Sequence, residues 1–94
     1  MYVLRIEHPV PDYDGWKRAF DADPLNRKGS GVRRFAVFRS TADANHVLVD
    51  LEFDTLDRAQ TMLSALETMW GKVEGTVMSN ARAQIVSKVE DVDL

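Results

Sequence analysis

The sequence predicts an α+β domain in which a single antiparallel sheet carries helices on one face only. Three observations predict it. The stretch His46–Phe53 alternates, with Val47, Val49, Leu51 and Phe53 on one face of a strand and Leu48, Asp50 and Glu52 on the other. A strand with one apolar and one charged face suits an antiparallel sheet covered on one side. Tyr2–His8 and Ala81–Val89 alternate in the same way, and two segments between the strands repeat apolar residues at three- and four-residue steps, the period of a helix.

In chain order, Tyr2–His8 is the first strand, with Tyr2, Leu4, Ile6 and His8 sharing a face and Val3, Arg5 and Glu7 opposite. Pro9-Val10-Pro11 closes it, because proline has no N–H for the ladder. Asp12 is a good N-cap for the first helix, and Asp14 in the first turn complements the helix dipole. Tyr13, Trp16 and Phe20 form an aromatic stripe on that helix. Gly15 weakens its first turn by about 1 kcal/mol relative to alanine. Pro24 breaks or kinks it, and Gly29-Ser30-Gly31 ends it.

Val32–Arg39 is the second strand, but periodicity leaves its inward face open. Phe35 and Val37 share a face with Arg33 and Arg39, while Val32, Arg34, Ala36 and Phe38 share the other. The polar loop Ser40–Asn45 leads into His46–Phe53. The second helix starts near Asp54 or Thr55, with Leu56, Ala59, Leu63, Leu66, Trp70 and Val73 as its stripe and Met62 and Met69 widening it. Gly71 and Gly75 are its expected end signals, and a Ser79-Asn80 turn precedes the last strand. The tail Glu90–Leu94 is either a frayed end or an arm that reaches a partner. The order β-α-β-β-α-β with right-handed crossovers gives sheet order 4-1-3-2 with both helices on one face, the ferredoxin-like α+β sandwich.

Composition narrows the function classes. Ninety-four residues make one domain, spanning 1–94, that buries only roughly 60–65% of its unfolded surface, so pairing with a second copy would help it. The net charge of -3 argues against nucleic acid or an anionic membrane as the main partner. No apolar run approaches the ~18 residues a membrane span needs, and the N-terminal stretch does not read as a signal peptide, so a cytoplasmic protein is expected. The absence of cysteine excludes disulfides, thiolate zinc sites and cysteine nucleophiles. No GxGxxG, Walker loop, GxSxG or HExxH pattern is present. Two histidines without suitably spaced carboxylates make a poor metal site, so no metal is expected.

Five residue groups carry the resemblance to a known family: His8-Pro9-Val10, Asp12–Lys17, Phe20-Asp21, Gly31-Val32-Arg33 and Leu51–Asp54. Through them the chain resembles the dimeric α+β barrel superfamily, which includes antibiotic biosynthesis monooxygenase-like domains, and it is closest to small bacterial members. The resemblance spans nearly the whole chain but rests on fold-marking residues. It implies two subunits packed sheet to sheet into an eight-stranded barrel, each with a cavity between its sheet and its helices. Members use that cavity for cofactor-free oxygenation of polyketide-like aromatics, cyclisation, isomerisation of small acids, or haem binding and degradation. The superfamily has no single catalytic motif, and the Asn/Trp/His set of haem-degrading members has no equivalent here. The segment Met69–Val77 is longer than in shorter members.

The candidate site residues follow. His8, at the end of the first strand and beside the first helix, could act as a general base or bind an acidic ligand, or equally cap a loop carbonyl. His46 reads as a surface residue. Tyr13, Trp16, Phe20 and Trp70 could line a pocket for a flat apolar ligand, or simply fill the core. On the opposite sheet face, Arg5, Leu48, Asp50, Glu52 and Arg82 are either solvated or meet a second copy with charges paired across the sheet. The basic cluster Arg27, Lys28, Arg33, Arg34 and Arg39 suggests RNA, but the acidic central strand would repel phosphate. Two readings therefore stand: a cofactor-independent monooxygenase or cyclase on an aromatic compound, with no cofactor and with His8 as acid/base, or a non-catalytic ligand-binding or structural homodimer.

Overall fold

The structure is a computed structural model and describes residues 1–73 and 80–94. Its elements are β1 (Tyr2–Pro9), α1 (Tyr13–Asp21), β2 (Val32–Arg39), β3 (His46–Phe53), α2 (Leu56–Val73) and β4 (Arg82–Ser87). The four strands form one sheet in the order β2-β3-β1-β4, all neighbours antiparallel. Read from the other edge this is 4-1-3-2, the ferredoxin-like order. The two apolar-faced strands, β1 and β3, stand side by side at the centre.

Register explains the two faces. Leu4 lies opposite Leu51, Ile6 opposite Val49 and His8 opposite Val47, which places the small-to-medium apolar set of β3 beside that of β1. These residues form the core, with Leu4, Val47 and Phe53 sealed completely and Ala59 and Met62 of α2 packed on them. Burial on β3 alternates strictly between buried and half-buried residues, so its sequence pattern is its structural pattern.

On β2 alternation fails. Val32 pairs with Phe53 and Arg34 with Glu52, two steps on β2 against one on β3. Arg33 is the extra residue of a β-bulge, which lets Val32 share the inner face with Phe35, Val37 and Arg39. Neither of the two faces that strict alternation offers is correct. A bulge keeps the apolar Val32 inward while freeing Arg33 to pair with Asp54 at 3.5 Å.

The helix starts follow the expected chemistry. Asp12 is extended, and its carboxylate accepts the N–H of Gly15 at 2.9 Å. The Thr55 hydroxyl accepts the N–H of Arg58 at 3.2 Å and opens α2. The ends differ more. α1 stops at Asp21, before Pro24, and its last carbonyls are met by Ala22, Asp23 and the guanidinium of Arg27. α2 runs through Gly71, where the glycine is exposed and has no structure to terminate against, so Gly71 is not an end signal. Leu56 of the expected stripe is exposed. Gly75, Val77 and Ser79 lie outside the described residues. Pro9 still belongs to β1, since β4 pairs only as far as Glu7 and asks no donor of it. β4 is shorter than the alternating stretch Ala81–Val89.

Candidate functional site

The site is built where α1 stands off the sheet. Its helix axis is held at a distance by large side chains rather than by close backbone contact. Trp16 meets His8 edge-on at 5.8 Å between ring centroids, and Phe20 meets Phe35 edge-on at 5.3 Å. Below these bridges lies a cavity of about 460 Å³, within the usual range for a small-molecule site. Its floor is Ile6, Val49 and Leu51 of the sheet, one wall is Trp16 and Phe20, and the other is Met62, Leu66, Met69 and Trp70 of α2. The loop after α1 adds Pro24, Leu25 and Arg27 to its lining.

His8 is the one buried polar residue among those described, with 3% of its surface exposed. Its place on the inner face of β1 turns the ring into the cavity lining. Nδ1 lies 3.2 Å from the carbonyl oxygen of Pro9. A carbonyl only accepts, so Nδ1 carries the proton and Nε2 keeps its lone pair. Nε2 has no hydrogen-bond partner among the described residues, and none of their side-chain nitrogens or oxygens is both sealed and unpartnered. Nε2 is therefore reachable from the cavity. Burial lowers the His8 pKa, the bond to Pro9 opposes this, and the nearby His46 lowers it further. The ring is neutral at pH 7. Geometry and charge state together equip it to take a proton.

The aromatic residues are brought together unequally. Trp16 stacks on Phe20 with 5.2 Å between centroids and a 30° tilt, forming a continuous flat wall one helical turn long. Trp70 faces it from α2. Tyr13 is set apart from the lining, 5.9 Å from Trp16 and beneath the guanidinium of Arg39 at 3.9 Å. His46 lies at the strand start with Nε2 3.6 Å from a carboxylate oxygen of Glu7. Arg27 lines the cavity, although in the sequence it stands only with the basic cluster. No local pattern marks it, because the turn that carries it inward depends on Asp23 and Asn26 in left-handed backbone. Among the described residues no group of histidines and carboxylates could hold a metal ion.

The other sheet face carries Arg5, Leu48, Asp50 and Arg82 around a shallow groove, together with Phe38 and Gln84. Arg5 pairs with Asp50 at 3.3 Å, and Glu52 takes both Arg34 at 3.5 Å and Lys88 at 3.1 Å. The hydrogen bonds to Glu52 and Asp91 hold Lys88 above its ordinary pKa. Phe38 stands 50% exposed on this face, while Val3 is already buried on it.

No family model matches the chain, and no curated protein is significantly similar to it in sequence. Solved structures match it closely in shape. SnoaB, a cofactor-independent oxygenase from Streptomyces nogalater, superposes with a TM-score of 0.77 at 8% identity, covering 97% of this chain and 95% of that one. A candidate antibiotic biosynthesis monooxygenase from Deinococcus radiodurans gives 0.70 at 10% identity, covering 100% and 98%. A dimeric ferredoxin-like protein from an uncultured marine organism gives 0.67 at 15% identity, covering 97% of each chain. At these identities the likeness is one of fold: the chain has the ferredoxin-like α+β fold that these antibiotic biosynthesis monooxygenase-like structures share.

Proposed function

We propose that this chain forms a homodimer through its open sheet face and acts on a small flat aromatic compound as a cofactor-independent monooxygenase or cyclase. The observation that carries the reading is His8: a buried neutral imidazole, fixed through Nδ1, with Nε2 open to an apolar cavity. A base so placed is within reach of an acidic C–H or O–H of a bound arene and can take its proton. The resulting anion is electron-rich enough to reduce dioxygen, so that a methylene becomes a carbonyl and the second oxygen leaves as water. The same anion could attack a carbonyl within the molecule and close a ring. Trp16, Phe20 and Trp70 would hold the arene flat, and Tyr13 would support Trp16 from behind. The oxygenase chemistry named for SnoaB supports this reading by analogy of fold.

Dimerisation fits the half-exposed Phe38 and Leu48 and the cross-strand pairs Arg5–Asp50 and Arg34–Glu52 on one face. Arg82 lies opposite Glu7 in register and extends that charged pattern to β4. The marine structure described as dimeric is consistent with it.

The test uses an anthrone and follows oxygen uptake and product mass. Wild type is expected to consume oxygen, and His8→Gln to slow the rate by about 10²- to 10⁴-fold while still binding. Binding without turnover in wild type would favour a non-catalytic ligand-binding homodimer, and the absence of binding would favour a structural one in which the aromatics only fill the core.

A further inference from the structure

We infer that Arg27 is the specificity-determining residue of this cavity, selecting aromatic ligands that carry a carboxylate or phenolate oxygen. The inference rests on the reading of the cavity as an arene site and adds the class of arene. Apart from His8 and Asp23, the other lining residues are apolar, and His8 is neutral. An anionic ligand would lose its hydration there with nothing to offset the loss, unless a fixed cation faced it. Arg27 is that cation.

Its guanidinium is held on several sides. It lies over the ring of Phe20 at 3.9 Å and beside that of Phe35 at 4.8 Å. Nη1 donates to the Phe20 carbonyl at 2.8 Å, and Nε faces Oδ1 of Asp23 at 3.5 Å. Asp23 is itself fixed, because the same Oδ1 accepts the backbone N–H of Arg27 at 2.9 Å. A guanidinium has five N–H donors, and these contacts leave the Nη2 edge without a partner among the described residues. A stacked guanidinium keeps its edge available, and the free Nη2 can donate a charge-assisted hydrogen bond to a carboxylate or phenolate oxygen. The cation and the base share one wall. His8 touches Trp16, Trp16 stacks on Phe20, and Phe20 carries Arg27, so a ligand lying along that wall would present its acidic group to Arg27 and its reacting carbon or hydroxyl to His8.

A purely structural Arg27, capping α1 and covering two phenyl rings, predicts no ligand preference, and this separates the two roles. The probes are naphthoate and naphthamide, matched in shape and differing in charge. Their binding to the full chain is read by calorimetry and by quenching of Trp16 and Trp70. Wild type is expected to bind naphthoate roughly ten- to a hundredfold more tightly at pH 7.5. Arg27→Gln is expected to remove the preference, weakening naphthoate far more than naphthamide. Equal binding of both probes by wild type overturns the role of Arg27 while leaving the arene cavity in place. So does a preference that survives in a folded Arg27→Gln. Failure of both probes to bind overturns the arene reading along with it. The wild-type comparison needs no variant, so it remains decisive even where Arg27→Gln folds poorly.

Discussion

Replacing His8 by glutamine tests the central feature through stability as well as turnover. In the folded chain His8 is buried, chiefly by loss of hydration its pKa is lowered, and His46 nearby adds to the effect. The unfolded chain restores the ordinary value of about 6.5. Between those two values the unfolded state holds a proton that the folded state lacks. Stability is therefore complete above about pH 6.5 and falls as pH drops toward the lowered folded value. For one proton the slope reaches at most about 1.4 kcal/mol per pH unit. That is substantial against a total of roughly 5–14 kcal/mol for a domain of 94 residues. Glutamine can still donate to the Pro9 carbonyl but cannot be charged. Urea unfolding of wild type and His8→Gln at half-unit steps from pH 8 to pH 5 isolates the effect, because the other titrating groups cancel in the difference. The expected result is a variant that gains on wild type as pH falls below about 6.5. A constant difference, or a His8 ring resonance that titrates at or above 6.5, would show that the imidazole is not held neutral by burial, and His8 would lose its standing as a general base.

Other expectations follow from the packing. Phe53→Ala removes a completely sealed ring at the centre of the core and is expected to cost about 3–5 kcal/mol, read as a drop in the urea midpoint; a cost under about 1 kcal/mol would mean the core collapses onto the gap. Gly31→Ala places a side chain at φ 99°, with its Cβ 3.0 Å from Cδ of Arg58, and is expected to destabilise by about 1–2 kcal/mol in the same assay. Phe38→Asp on the open sheet face is expected to reduce the light-scattering mass to the 10.6 kDa of one chain. A wild-type mass already at that value refutes the dimer. Trp16→Leu keeps the apolar contact but removes the flat wall, and is expected to weaken naphthoate and naphthamide alike by about tenfold by calorimetry.

The element order, the central strands and the helix starts are legible in the amino-acid sequence alone. Each rests on local physics: alternation along His46–Phe53, the carboxylate of Asp12 one turn before free N–H groups, the hydroxyl of Thr55 doing the same. The sequence also marked His8, Tyr13, Trp16, Phe20 and Trp70, since a polar ring on an apolar face and aromatics at helical spacing are visible in one dimension, and all but Tyr13 line the cavity. What it could not supply was whatever depends on the chain meeting itself. The inward face of β2 was undecidable because a bulge at Arg33 is defined by its pairing with β3, not by its own residues. The open Nε2 of His8 follows from a carbonyl beside one nitrogen and a cavity beside the other. Arg27 looked like one of several surface cations. Only the left-handed turns at Asp23 and Asn26 fold it back against Phe20 and Phe35, where tertiary stacking makes a solvated charge into a fixed one.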